Sequence, residues 1–522
     1  MAWPLNMAVE RVCSYSLTVL GVDPHWLDCV SHHAARTRRG YHPAVDLGEY
    51  ASYDAVGLAG LVARKQVSPR DLARCAIAGV EAVNPTLNAV VEAYADRAEE
   101  IGDEIPPGPF GGVPTMLKDL YHGEAGRICE NGSRLGEGWV TPVDVDFVSK
   151  LKSSGMVNLG RTTTSEFGIL GTTETLAAGR TCSPWSPDHM AGGSSGGAAA
   201  VVGAGIVPVA SASDGGGSIR IPAASCGVVG LKPSRGRVSW GPLTGEPLGG
   251  WAVRFMVSRS VRDTAAMLDV LAGAGAGDPF VIPPPARPFQ DEVGAPVGRL
   301  RVAYWSAPWC GAAGDPSVVG ATATTAALLA DLGHDVEEAR PEFEWEPFVQ
   351  AMTDVWAADA AHGVDHFAWI VGRVVDADTV EASTLAAVEY GRTVTAVQLM
   401  NAFDQANVLA RLMGRFFSRY DVLLTPTLGR LPARLGEYDP TAQMELREVF
   451  ESWSPLESFL PVFNATGQPA LSLPLHTSGD GLPIGMQLVG AFGAESLLLR
   501  VAAQLEEAAP WSRRRPVIHV AN

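Results

Sequence analysis

Hydrophobic positions along the chain fall into blocks of different spacing. Just beyond residue 50, Leu58, Leu61, Val62 and Val67 recur at helical intervals. Ser68 then suits an N-cap and Pro69 a first helical position, which predicts an amphipathic helix over 68–83. Residues 105–112 are rich in Pro and Gly and read as a turn into the interior. From there to about 240, short apolar strands such as 156–159 and 206–210 alternate with Gly/Ser loops and helices of small residues. Alternation of this kind predicts an α/β layer fold. Further strand patterns lie at 300–304, 420–426 and 471–488, the last folded around Ser478-Gly479-Asp480-Gly481. Helices are predicted over 320–332, through 341–400 and over 494–509. Residues 277–298 are Pro-rich and form a candidate linker or excursion. The expected organisation is an N-terminal extension, 1–48, carrying a basic patch at 32–39, followed by one compact domain, 49–522.

Composition narrows the function more than the fold. Of 522 residues, 47% are apolar and 18% charged, the balance of a globular chain with a sizeable core. The net charge of −18 repels phosphate backbones and anionic lipid, so neither nucleic acid nor a membrane face is expected as the main partner. Residues 191–213 form an uncharged run of 23. A bilayer span needs about 20 strongly apolar residues. This run is mostly Gly, Ser and Ala with Pro208 inside it, and reads as tightly packed core. Residues 1–11 carry no basic leader and 17–22 are too short for a signal core. Seven scattered cysteines with no C-x-x-C pair fit reduced thiols in a cytoplasmic protein. No cluster has metal-ligand spacing, so neither metal nor organic cofactor is implied.

Three glycine-rich stretches carry the chemistry. Gly111-Gly112-Val113-Pro114-Thr115-Met116-Leu117-Lys118-Asp119-Leu120 sets one lysine in an apolar strand, where the plain alternative is an ion pair with Asp119. Gly192-Gly193-Ser194-Ser195-Gly196-Gly197 precedes an alanine run and suits a helix N-terminus. It also matches the nucleophile elbow G-x-S-x-G centred on Ser195. An elbow follows a strand directly, whereas 186–191 reads as loop, which argues against it. Ser213-Asp214-Gly215-Gly216-Gly217-Ser218-Ile219-Arg220 offers unobstructed backbone N–H groups ending in a hydroxyl, the make-up of an oxyanion hole. No histidine falls within these stretches, the nearest, His122 and His189, read equally well as surface or neighbouring residues, and a lysine can act as base only when neutral.

Taken together, with Ser194 and Ser218 spaced 24 residues apart, these stretches resemble the amidase-signature family over roughly residues 50–515. Later segments agree: 230–237, Asp421-Val422-Leu423-Leu424-Thr425-Pro426-Thr427, and Phe463-Asn464-Ala465-Thr466-Gly467-Gln468-Pro469-Ala470. The resemblance implies a large mixed, twisted β-sheet covered by helices on both faces. It implies amide hydrolysis by a Ser-Ser-Lys triad with Lys118 as base, Ser194 as bridge and Ser218 as nucleophile. It further implies an oxyanion hole from the N–H groups of Gly215, Gly216, Gly217 and Ser218, and a cis Gly193–Ser194 peptide. Thr163 stands where the family usually has Asn, and Ser213 and Gly216 sit where members vary, which bears on subsite shape. Segments 230–237 and 258–263 most resemble free-standing amidases such as hydrolases of the 6-aminohexanoate cyclic dimer. The alternative is the glutaminase-type subunit of a tRNA-dependent amidotransferase, which would need further subunits. A catalytically silent scaffold is the third reading. The expected partners are a small-molecule amide and, at most, a second copy of the chain in a homodimer. Substrate choice is expected in 125–145, 340–400 and 430–460, with Trp309, Trp345, Phe348, Trp356, Phe367 and Trp453 as candidates for an apolar acyl pocket.

Overall fold

A computed structural model of the chain describes residues 45–522. The basic patch and nearly all of the expected arm lie outside the described residues. Residues 45–48 already lead into a helix, Leu47–Ser52, capped by the Asp46 carboxylate. The helix expected from residue 68 is Pro69–Leu87, with a reciprocal capping box between Ser68 and Asp71. It runs past the expected stop, tolerating Pro85 in its last turn, and Asn88 closes it in the left-handed region.

The centre of the domain is an eleven-stranded mixed sheet. In chain order its strands are β1 Val90–Ala93, β2 Pro114–Lys118, β3 Val157–Thr162, β4 Val209–Asp214, β5 Val229–Lys232 and β6 Val253–Ser258. They continue as β7 Arg301–Tyr304, β8 Asp335–Glu338, β9 Val422–Pro426, β10 Ala470–Thr477 and β11 Pro483–Gly490. Across the sheet the order is β1-β3-β2-β4-β6-β5-β10-β11-β9-β7-β8. β2 runs parallel to both β3 and β4, whereas β4 is antiparallel to β6. Both faces are covered, as side-chain alternation shows. Val422 and Leu424 of β9 enter one core while Leu423 between them enters the other. The second core is built by the helices Trp345–Val371, Ala382–Gly391 and Ala396–Phe417, which fill most of the region expected to be helical.

Two local readings change. The strand expected at 206–210 begins at Val209 and ends at Asp214. Its last four residues are Ser-Ala-Ser-Asp, and the burial of Ser211 and Ser213 agrees with the packed core expected over 191–213. Residues 186–190, expected as loop, form one strand of a two-stranded ribbon with Cys182–Ser183. The Pro-rich stretch 277–298 is an excursion anchored by buried Phe289, after which the chain re-enters the same sheet as β7.

Candidate active site

Lys118 is the last residue of β2, and its backbone N–H donates to Ser211 Oγ at 2.7 Å. The adjacent strand β4 therefore positions the end of β2 where Ser213 can meet the lysine. Lys118 Nζ lies 2.6 Å from Ser194 Oγ and 3.0 Å from Ser213 Oγ. Asp119 is not its partner; that carboxylate pairs with Arg161 at 3.1 Å and accepts the Glu130 N–H. Burial pushes the Lys118 pKa well below the ordinary lysine value, against the pull of Asp214. A neutral amine in contact with a hydroxyl can accept that hydroxyl's proton.

Ser194 follows the cis Gly193–Ser194 peptide, at the approach to the helix Gly196–Gly203. Gly193 is required by close approach, since a Cβ there would meet the Thr172 backbone at 2.6 Å. The Ser194 carbonyl accepts from the Ser165 N–H and the Thr173 hydroxyl. Ser195 is no elbow nucleophile. Its hydroxyl is spent on β4, donating to the Ser213 carbonyl and accepting the Ser213 N–H.

The third stretch is a strap locked at both ends. Asp214 closes β4 and Arg220 opens the helix Arg220–Cys226, and both side chains are fully buried. Asp214 Oδ2 accepts Arg220 Nε at 2.9 Å and the Ile219 N–H at 3.2 Å, while Oδ1 accepts Arg220 Nη2 and Asn464 Nδ2, each at 2.9 Å. Burial alone would raise the Asp214 pKa, but the Arg220 charge and hydrogen bonds outweigh it and hold the carboxyl at about 2. Arg220 is further saturated by Gln487, Asn464 and the Leu460 carbonyl. Between these anchors, Gly217 adopts φ +142°, a region that favours glycine. Among the described residues, no acceptor takes the N–H groups of Gly215, Gly216, Gly217 or Ser218.

Exposure rises in the order Lys118 1%, Ser194 2%, Ser218 7%, so Ser218 stands nearest the opening. Ser194, Ser213 and Ser218 line one lobe of a cavity, and Ser218 also lines a second lobe that reaches Glu457. Burial, reinforced by the Asp214 charge, pushes the Glu457 carboxyl up to about 8.

Residues 71–499 match the family model described as Amidase. The chain belongs to the amidase family. It is 39% identical over 474 residues to a 6-aminohexanoate-cyclic-dimer hydrolase of Paenarthrobacter ureafaciens, covering 89% of this chain and 96% of that protein. An acylamidase of Rhodococcus erythropolis is 33% identical, with 88% and 96% covered. The solved structure of a 6-aminohexanoate cyclic dimer hydrolase complexed with substrate superposes with a TM-score of 0.86 at 38% identity, covering 90% of this chain and all 100% of that one. A Glutamyl-tRNA(Gln) amidotransferase subunit from Thermotoga maritima shares the fold at a TM-score of 0.74 and 23% identity, with 90% and 98% covered. The chain is accordingly an amide hydrolase acting on carbon–nitrogen bonds other than peptide bonds.

Several other candidates sit elsewhere in this amidase. Of the six aromatic residues expected to form an acyl pocket, Trp356 lines the cavity; Trp309, Phe348, Phe367 and Trp453 are buried in the second core, with Trp345 packed against it. Tyr121, Phe167 and Trp240 take their place. Tyr121 follows the Lys118 stretch closely enough that its position was a usable signal; Trp240 arrives by a turn that no local pattern announces. Segments 340–400 and 430–460 do supply cavity walls, whereas 125–145 lines neither lobe. Asp188 and His189, which precede the Ser194 stretch in sequence, lie on the ribbon and line neither lobe, and His189 Nδ1 is 2.8 Å from Ser186 Oγ. No described helix is long and apolar enough to cross a membrane.

Proposed function

We propose that this amidase cleaves its substrate through an acyl-enzyme on Ser218, with Lys118 as base acting through Ser194. Ser218 Oγ attacks the amide carbonyl carbon. Its proton passes to Ser194 Oγ as the Ser194 proton passes to Lys118 Nζ. The carbonyl oxygen becomes an oxyanion facing the unoccupied N–H groups of Gly215, Gly216, Gly217 and Ser218. Collapse breaks the C–N bond, and the amine leaves with the proton returned along the same relay. Water then attacks the ester with its proton taken by that route, releasing carboxylate and restoring Ser218. The observation that carries this reading is the 2.6 Å contact of a buried, solvent-shielded lysine with Ser194, beside a cavity that opens on Ser218.

The substrate reading follows the relatives: a small cyclic or linear amide of the kind the 6-aminohexanoate-cyclic-dimer hydrolases accept. The amidotransferase reading is weaker, because the likeness there is 23% against 39%. The buried free thiols Cys75, Cys129, Cys182 and Cys226 favour the cytoplasm. The test is turnover of the 6-aminohexanoate cyclic dimer and of acyl anilides by the purified chain alone. Hydrolysis of either without added subunits supports the proposal; activity that appears only with co-purifying subunits supports the amidotransferase reading instead.

A further inference from the structure

The first lobe of the cavity presents two carboxylates, Asp214 and Asp359. Asp214 is saturated by Arg220, Asn464 and the Ile219 N–H. Asp359, on the helix Trp345–Val371, accepts one hydrogen bond, from the Leu248 N–H to Oδ1 at 2.8 Å. Among the described residues no ion pair closes on it and no hydrogen bond reaches its second oxygen; the charge that acts on it is His362, three residues further along the same helix. The walls around it are largely apolar: Tyr121, Phe167, Trp240, Trp356 and Val364. Burial raises the pKa of Asp359 against the opposing Leu248 N–H and the His362 charge.

A ligand that fills this lobe completes the desolvation of that free oxygen. An aliphatic chain offers it nothing, and an unpaired acceptor is then left buried. A ligand N–H, most strongly an ammonium, gives it a charge-assisted partner. Resting on the hydrolytic reading of Ser218, we propose that Asp359 is a specificity-determining residue and that the preferred substrates carry a second N–H donor, an ammonium or another amide, away from the scissile bond. The same carboxylate holds Leu248 in its left-handed conformation, φ +53°, and Leu248 packs over Gly215, where a Cβ would meet Leu248 Cδ1 at 2.5 Å. Removing the carboxyl therefore disturbs the strap as well, so the test must separate charge from support.

Two substrate pairs do so. On the acyl side these are the para-nitroanilides of 6-aminohexanoate and heptanoate, of equal length, one ending in ammonium and the other in methyl. On the amine side they are N-hexanoyl diaminohexane and N-hexanoyl heptylamine, followed by mass spectrometry. Wild type should favour the ammonium member of at least one pair by roughly tenfold or more in kcat/KM. Asp359→Asn keeps an acceptor for Leu248 and should bring that ratio to within about twofold, the residue of a charge-assisted bond made neutral. Asp359→Glu keeps the charge and should keep the direction of the preference, whereas Asp359→Leu should lose it. A loss of kcat on both members with an unchanged ratio would reveal support of the strap alone and overturn the proposal, as would a wild type without preference in either pair. Failure of the hydrolytic reading looks different: wild type would then turn over none of the four amides.

Discussion

Asp214→Asn probes the lock on the Gly215–Ser218 strap. Asn preserves the shape and one acceptor but removes the charge opposite a fully buried Arg220. Two magnitudes follow. Asp214 sits at about 2 in the fold against an ordinary value of 3.8. At about 1.4 kcal/mol per pKa unit, that difference is on the order of 2 kcal/mol of stability. Because the folded value lies below the unfolded one, the contribution is fully present above about pH 4 and is lost as pH falls towards 2. Substitution also strands the Arg220 charge, and breaking a buried pair costs roughly 3–5 kcal/mol. The larger figure governs the variant, since linkage counts only the proton preference of Asp214. Urea unfolding followed by tryptophan fluorescence at neutral pH should therefore show a loss of roughly 3 kcal/mol or more. The double variant Asp214→Asn/Arg220→Met removes both charges and should be less destabilised than the sum of the two single variants. A loss below about 1 kcal/mol would refute the view that the ion pair locks the strap, since that is the range of an exposed pair.

Lys118→Met should abolish turnover yet raise stability at neutral pH, because the fold holds the amine neutral where the unfolded chain binds a proton. Wild-type stability should rise with pH up to the ordinary lysine range, and the variant's curve, from urea midpoints across pH, should be flatter. The rate profile of wild type should lose activity as pH falls through the lowered Lys118 value, since the neutral amine is the working form. Ser194→Ala and Lys118→Ala should each cost nearly as much in kcat as the two together, a non-additivity that a double-mutant cycle on an anilide substrate reads directly. Gly217→Ala places a Cβ 2.7 Å from Leu460 Cδ1 at φ +142°. It should lower kcat by roughly tenfold to a hundredfold with little change in KM, as misaimed oxyanion donors would.

Ser194 and Ser218, which line one cavity, and Lys118, which touches Ser194, could be picked out of the chain because each lies in a short glycine-rich stretch whose composition is unusual on its own. Burial of Lys118 also followed from its apolar strand. What the pattern hid is non-local. Asp359 and Trp356 reach the cavity from a long helix more than a hundred residues away in sequence, and nothing in their immediate neighbours distinguishes them from other helix residues. Asp214 and Arg220 were visible as part of the third stretch, but their mutual saturation depends on Asn464 and Gln487 from remote segments. The strand readings failed where side chains were small and polar. Ser211 and Ser213 lie in a run legible as packed core, but their small polar side chains gave no strand signal, and on β4 their hydroxyls serve Lys118. The ribbon at Ser186–Met190 failed for a related reason, since Ser, Pro and Asp are poor strand formers and a two-stranded edge does not select against them.

The most direct test of the central claim is intact-protein mass spectrometry after exposure to a fluorophosphonate probe, on wild type and Ser218→Ala. A single adduct on wild type that disappears in Ser218→Ala is the predicted result. An adduct that persists in Ser218→Ala, or a wild type that hydrolyses amides without taking the probe, would contradict Ser218 as the nucleophile.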